Sequence, residues 1–305
     1  MSTMHDLAVI ILNYNTRELL ADCLASLRGQ SGLDFVTCAV DNCSDDGSAE
    51  MVAAQFPEVS LIRSPANNGY AAGNNLGLRA LSFPAAPQAR YAMLLNPDTL
   101  VLPSALAGMV AFADATPDAG VVGPKLMLMD GTLDMACRRS FPTPAVSFYR
   151  LTGLSRIFPR SRLFGRYNMT YLGVDEQTDV DSVVGACMLV RGDAIRQAGL
   201  LDEQFFMYGE DLDWCLRIKQ QRNSAGRPWR VIYYPAVTVQ HVKRAASRRS
   251  ARAQYEFDRA MWLFYRKHYQ ARTFFMMDWL VRLGLAARGG PRLAREMFAG
   301  ASGEG

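Results

Sequence analysis

Short apolar runs that stop at a polar residue and lead into a helical pattern constrain this chain more than any other feature. Residues 7–12 are almost unbroken apolar sequence, as expected of a strand buried on both faces, and give way to Asn13. Thr16 then caps a predicted helix with Leu19, Leu20, Cys23, Leu24 and Leu27 on one face. The cycle repeats with a strand over 35–40 ending at Asp41, a helix over 48–55 and a strand over 59–63. A helix over 70–82 follows, then a strand over 91–95 that runs into Asn96-Pro97-Asp98, and Ser104 starts another helix. This spacing predicts an α/β fold with a mostly parallel, doubly wound sheet. Ligands of such sheets bind beyond the carboxyl ends of the strands, so the polar residues there carry the functional weight.

Past residue 125 the rhythm changes. Asp130-Gly131 between alternating apolar residues predicts a hairpin. Residues 138–176 carry Pro142, Pro144, Pro159 and many arginines among aromatics, the pattern of a long loop or lid. A strand over 182–190, helices over 192–198 and 211–221, and strands over 230–234 and 237–241 come next. The end of the chain reads as amphipathic helices over 250–269 and 272–287, followed by a frayed Gly-rich tail.

Bulk properties narrow the function. The chain has 305 residues, 50% of them hydrophobic and 20% charged, enough for a substantial core. A net charge of +4 gives no reason to expect nucleic acid, although arginine is concentrated after Arg138, as on a surface that meets anions. The six scattered cysteines contain no CxxC pair and read as reduced core thiols of a cytoplasmic protein. No apolar run reaches the ~20 residues that span a bilayer, which leaves a soluble protein or one at a membrane surface.

Five segments can carry chemistry. Asp41 stands at a strand exit, where a carboxylate can accept bonds from a base or ribose; Asp45 and Asp46 behind it read as readily as turn and capping residues as ligand contacts. Asn67 to Asn75 is a glycine-bearing loop entering a helix whose N-terminus can attract phosphates, or simply an Asn/Gly turn. Asp98 can hold a hard divalent cation that neutralises a diphosphate, unless Asn-Pro-Asp is only a turn. His241 ends its strand shortly before Lys243 and Arg244, two phosphate-seeking cations. Glu210, Asp211 and Asp213 start a helix beside Phe205, Phe206 and Tyr208. Partial desolvation there raises carboxylate basicity, with the helix dipole as the plainer reason for acids at that place.

In this order the segments resemble inverting glycosyltransferase family 2, most closely its bacterial rhamnosyltransferase-like members, over residues 7–268. The resemblance rests on Ile11-Leu12-Asn13-Tyr14-Asn15, Val40-Asp41-Asn42, residues 68–75, Leu95-Asn96-Pro97-Asp98, residues 185–191, residues 206–213 and His241. It implies the GT-A fold, with a catalytic domain over 1–245 and a helical extension over 246–305. Within the domain, residues 1–125 form the nucleotide-sugar half and 126–245 the acceptor half. By that analogy Asn13, Asn15, Asp41, Asn68, Gly69, Gly73, Asn74, Asn96, Asp98, Lys243 and Arg244 meet the donor. Asp98 and His241 hold Mg²⁺ or Mn²⁺, and Asp211 is the base, oriented with the acceptor by Glu210 and Asp213. Gly185, Ala186 and Tyr208 line the acceptor side. Asn96 stands where the family often has a second acid, which lowers metal affinity until the donor's phosphates add charge.

The implied donor is dTDP-rhamnose or a UDP-sugar. The implied acceptor is a glycan or lipid-diphosphate-linked glycan of cell-surface polysaccharide synthesis, reached from the cytoplasm or the inner face of the cell membrane. Residues 138–166 close over the donor, touch such an acceptor or form a solvated surface. The helices after Arg244 lie on a membrane, pack on the catalytic domain or make a homodimer. A sugar-nucleotide nucleotidyltransferase and a non-catalytic nucleotide-sugar binder are the competing classes. A dehydrogenase is disfavoured because Asn13-Tyr14-Asn15-Thr16 lacks GxGxxG.

Overall fold

A computed structural model describes residues 4–242 and 251–299. The first half follows the expected alternation: β1 (His5–Asn13), α1 (Arg17–Arg28), β2 (Phe35–Asp41), α2 (Ser48–Gln55), β3 (Ser60–Arg63), α3 (Gly69–Ala80) and β4 (Ala89–Leu95). Three-residue β5 (Thr99–Val101), α4 (Ala105–Ala115) and β6 (Ala119–Leu128) come next. The arginine-rich lobe contains α5 (Pro144–Leu151) and α6 (Leu154–Ile157). Beyond it lie β7 (Thr178–Val180), β8 (Cys187–Arg191), α7 (Gly192–Ala198), α8 (Glu210–Lys219), β9 (Arg230–His241), α9 (Ala251–His268) and α10 (Phe275–Ala299).

The strand order is β3-β2-β1-β4-β8-β6-β9-β5, with β7 pairing to β9. Residues 7–11 of β1 are fully buried because helices cover both faces of a central strand. Pairing is parallel from β3 through β4, and its register sets Asn13 opposite Asp41 and Ile11 opposite Leu95. Beyond β4 the sheet turns mixed. β8 runs antiparallel to β4 with Cys187 opposite Leu95, so the residues entering β8 meet the exit of β4. β5 runs antiparallel to β9 with Thr99 opposite His241, which brings His241 beside Asp98. The expected strand over 182–190 is therefore only its last part, and the two strands expected over 230–241 are one. Within that strand Pro124 pairs with Tyr234 but Lys125 with Thr238, a bulge at Pro235, which has no N–H for a ladder.

Leu263 and Phe264 of α9 belong to the main core. α10 breaks at Gly290 (φ 75°) before Pro291, and the second arm folds back so that Leu293 and Met297 pack on Trp262 and Tyr265. Gly289-Gly290-Pro291 is thus a reversal, not a frayed tail. A polar link between α9 and the rest of the fold is Asp213, fully buried on α8. It accepts bonds from Arg217 (2.8 Å), Lys267 (2.8 Å) and His268 (2.7 Å). Burial alone raises its pKa, but hydrogen bonds from His268 and Lys267 and the charge of Arg217 prevail and hold it at about 2. Because the folded value lies below the ordinary 3.8, this stabilisation is present above that pH and fades as pH falls through about 2. Asp213→Asn is therefore expected to cost stability at neutral pH by ~3–5 kcal/mol. The gap in urea midpoint from the parent should narrow between pH ~4 and ~2.

Candidate active site

At the β1–β2 rim the side chains brace one another. The Asn13 amide is buried and donates to Asp41 Oδ1 (3.1 Å) and Ser44 Oγ (3.1 Å), while its oxygen accepts from Thr16 (2.6 Å). Asp41 Oδ2 accepts from the Ser44 N–H (3.1 Å). Asn15 takes a left-handed φ of 52°, and its oxygen accepts from the Asp45 N–H (2.9 Å). Asn13 and Asn15 therefore shape the loop that presents Asp41. Thr16 does not cap α1; Asp46 takes the Arg17 N–H (2.9 Å) from across the rim.

The N-terminus of α3 differs from expectation. The Asn68, Gly69 and Tyr70 N–H groups donate to Asn42 Oδ1 (3.2 Å), Asn67 Oδ1 (3.0 Å) and the Phe206 carbonyl (2.6 Å), so protein acceptors stand where a phosphate was expected. Gly73 packs on Leu12, where a Cβ would clash, and the buried Asn74 amide donates to the Tyr70 carbonyl (2.9 Å). Both take part in packing within the protein. Gly69 is needed for another reason: its φ is 83°, and a Cβ would run into the Phe206 carbonyl.

Tyr70 joins the two halves of the site. Its hydroxyl donates to the Gly185 carbonyl (2.8 Å), and the Gly185 N–H donates to Asp211 Oδ2 (3.1 Å). Burial, then the charges of Glu210, Asp211 and Asp98, push the Tyr70 pKa well up, so three carboxylates from distant sequence act on one hydroxyl. The Tyr70 ring fills the space at Gly185 that had been expected for a sugar. The neighbouring Ala186 is buried, and its carbonyl accepts from the Asn96 N–H (2.9 Å), tying the β8 entrance to the β4 exit. Tyr208 has a φ of 70° and packs edge-on against Phe257 (5.8 Å).

Asp98 Oδ1 lies 3.3 Å from His241 Nε2, and His241 Nδ1 lies 2.8 Å from Asp134 Oδ2. Asp134 was not foreseen. Its signal was the Asp130-Gly131 hairpin, which folds the chain back along β6, whose Leu128 pairs with His241. Burial works against a charged His241, but the bonds to Asp134 and Asp98 prevail and raise its pKa. These residues fit a divalent cation. A carboxylate oxygen and an imidazole nitrogen converge, and Asp134 can fix the proton on Nδ1, leaving the Nε2 lone pair for metal. Among the described residues no group of three or more His, Cys, Asp and Glu gathers for a metal. Phosphate oxygens and water would complete such a shell. Lys243 and Arg244 lie outside the described residues.

Across the cleft, Asp211 Oδ2 also accepts from Arg139 (2.6 Å), and its Oδ1 accepts from the Leu212 N–H (2.7 Å). Arg139, unforeseen among the arginines of the lobe, is buried; burial opposes its charge, but Asp211 outweighs this and its pKa is raised. Glu210 is the contrast. Its Oε2 is buried without a hydrogen-bond partner, and burial, then the charge of Asp211, push its pKa up to about 8. The raised basicity expected of this cluster thus falls on Glu210. Asp213 bonds to Arg217, Lys267 and His268 and not to Asp211.

A doubly wound sheet with acids at its strand exits and a mixed second half is the GT-A fold of nucleotide-sugar transferases. Residues 8–193, more than half of the chain, match the profile of glycosyl transferase family 2, and the chain belongs to that family. It is 28% identical over 242 residues to the N-acetylglucosaminyl-diphospho-decaprenol L-rhamnosyltransferase of Mycobacterium tuberculosis, covering 78% of this chain and 76% of that one. It is 26% identical over 225 residues to the low-salt glycan biosynthesis hexosyltransferase Agl10 of Haloferax volcanii, covering 73% and 65%. The mannosyltransferase PcManGT of Pyrobaculum calidifontis, solved with GDP-Man and Mn²⁺, has a similar structure. Its TM-score is 0.56 at 16% identity, covering 98% of this chain and 80% of that one.

The Arg139–Asp211 pair gives a test of the packing. Arg139→Met leaves a buried carboxylate unpaired and is expected to cost ~3–5 kcal/mol in urea unfolding. Arg139→Met with Asp211→Leu should be more stable than Arg139→Met alone, because no lone charge remains.

Proposed function

We propose that this glycosyltransferase inverts, moving one sugar from a nucleoside diphosphate to a hydroxyl of a lipid-linked glycan in cell-surface polysaccharide synthesis. The observation that carries this reading is the chain of contacts from Asp98 and His241 through Asn96, Ala186, Gly185 and Tyr70 to Asp211 and Glu210. It joins a cation-seeking pair and a basic cluster at one rim. The name of the mycobacterial relative supports a rhamnosyl donor and a lipid-diphosphate acceptor. dTDP-rhamnose is the donor we assign, with UDP-sugars as the alternative.

Asp41 receives the nucleoside, and Asn96 and Asp98 face the diphosphate. Asp98 and His241 would hold Mg²⁺ or Mn²⁺, which supplies positive charge to the departing diphosphate. Asp211 accepts the proton of the acceptor hydroxyl as its oxygen bonds to the anomeric carbon and the bond to the diphosphate breaks on the opposite face. Arg139 and the Gly185 N–H fix the direction in which Asp211 points. A second reading makes Glu210 the base, favoured by its unpartnered oxygen and its pKa of about 8.

Asp211→Asn is expected to keep Mn²⁺-dependent donor binding in calorimetry while transfer falls ~10²–10⁴-fold. Asp98→Ala should weaken the binding itself. If Glu210→Gln abolishes transfer and Asp211→Asn does not, the base is Glu210, and the parent rate should rise with pH through about 8.

A further inference from the structure

The first arm of α10 is apolar on two faces. Val281, Leu285 and Ala286 pack on the cluster of Trp262, Tyr265, Leu293 and Met297. Phe275, Met276, Trp279, Leu280 and Leu283 face outward, with Phe275 64%, Trp279 52% and Leu283 55% exposed. At spacings of one, four, five and eight residues they form a single stripe. Of the charged residues inside this arm, Arg288 bonds to Asp258 of α9 (3.2 Å), while Asp278 and Arg282 bond to each other (2.8 Å) and line the inner border, where Asp278 takes the Tyr265 hydroxyl (3.0 Å) and Arg282 covers Trp262. The outer stripe therefore carries no charge, and although Phe298 of the second arm stacks on Trp279 (5.9 Å), its side chains stay largely exposed, an arrangement that marks an interaction face.

Its surroundings are basic. From Arg266 to Arg295 the sequence carries seven Lys and Arg against one acid, Asp278. The lobe repeats the combination, because between Met135 and Val174 there are seven arginines and no acid. Phe148, Ile157, Phe158 and Leu163 are exposed on it, beside the exposed Arg156, Arg160 and Arg162. Both surfaces spring from one junction. Phe141 at the root of the lobe packs on Phe264 of α9 (6.1 Å), and α10 follows α9 after the short turn Gln270–Arg272.

We propose that the α10 stripe and the arginine lobe together seat the enzyme on an anionic lipid bilayer, with the apolar side chains in the interface and the arginines on the headgroups. A helix with aromatic and aliphatic residues on one face and basic flanks has the composition of an in-plane interfacial helix. A second copy of the chain fits less well, because Asp278, Asp258 and Asp213 are already taken by Arg282, Arg288 and Lys267, and a twofold contact would set the remaining arginines against their own copies. No helix among the described residues is long and apolar enough to cross a membrane, so attachment is to the surface. The inference rests on the lipid-linked acceptor only for its purpose, since docking is measured without substrate.

The full chain is expected to co-sediment with phosphatidylcholine–phosphatidylglycerol vesicles, less with phosphatidylcholine alone, and less as salt rises. Leu280→Ser with Leu283→Ser should lower partitioning at least about tenfold with little change in melting temperature, because both side chains are more than half exposed. Arg156→Glu with Arg160→Glu should lower it about fivefold per arginine and only on the anionic vesicles. The proposal is overturned if the parent ignores anionic vesicles, if the variants partition like the parent, or if light scattering shows that the α10 substitutions split a dimer that does not bind vesicles. Failure of partitioning with transfer intact removes this inference alone; loss of transfer with partitioning intact removes the functional reading alone.

Discussion

The hydrogen-bond path from the Tyr70 hydroxyl to the Gly185 carbonyl, and from the Gly185 N–H to the Asp211 carboxylate, decides where everything else in the cleft stands. It exists because β8 enters the sheet antiparallel to β4, which lays the residues before Cys187 against the mouth of β4. A parallel strand at that place would put its beginning at the opposite edge, far from Asp98. Tyr70 reaches Gly185 because α3 is pinned at its start by the Phe206 carbonyl, and Phe206 lies just ahead of Glu210. One tyrosine thus couples the donor half to the start of α8.

The electrostatics follow from this placement. Three carboxylates near a buried hydroxyl repel unless something compensates them, and each is answered differently. Asp98 faces His241, which leans on Asp134, so imidazole and carboxylate answer each other at that edge. Asp211 is answered by Arg139. Glu210 has no such partner for one oxygen and holds its proton more tightly. Differing environments for adjacent carboxyls are a common way for an active site to divide its roles.

The parallel half of the sheet was legible because parallel, doubly buried strands announce themselves as apolar runs and their ends as polar residues. The places of Asp41 and Asp98 at strand exits were read that way. Asp134 and Arg139 were not, because what makes them matter is a register between β6 and β9 and a bridge across 72 residues, neither of which leaves a local pattern. Three-residue β5 was hidden in what reads as a turn. Gly73 and Gly185 looked like openings for a ligand, yet a missing side chain also accommodates a neighbouring one, here Leu12 and Tyr70. Asp213 shared its segment with Asp211, but two positions on along a helix points to another face.

The most direct measurement of the shared cleft is anomalous diffraction from crystals grown with Mn²⁺ and a non-hydrolysable nucleotide-sugar analogue. Manganese is expected between Asp98 Oδ1 and His241 Nε2, with the anomeric carbon turned toward the Glu210–Asp211 carboxyls. Manganese bound away from that pair, or a sugar directed away from α8, would contradict it.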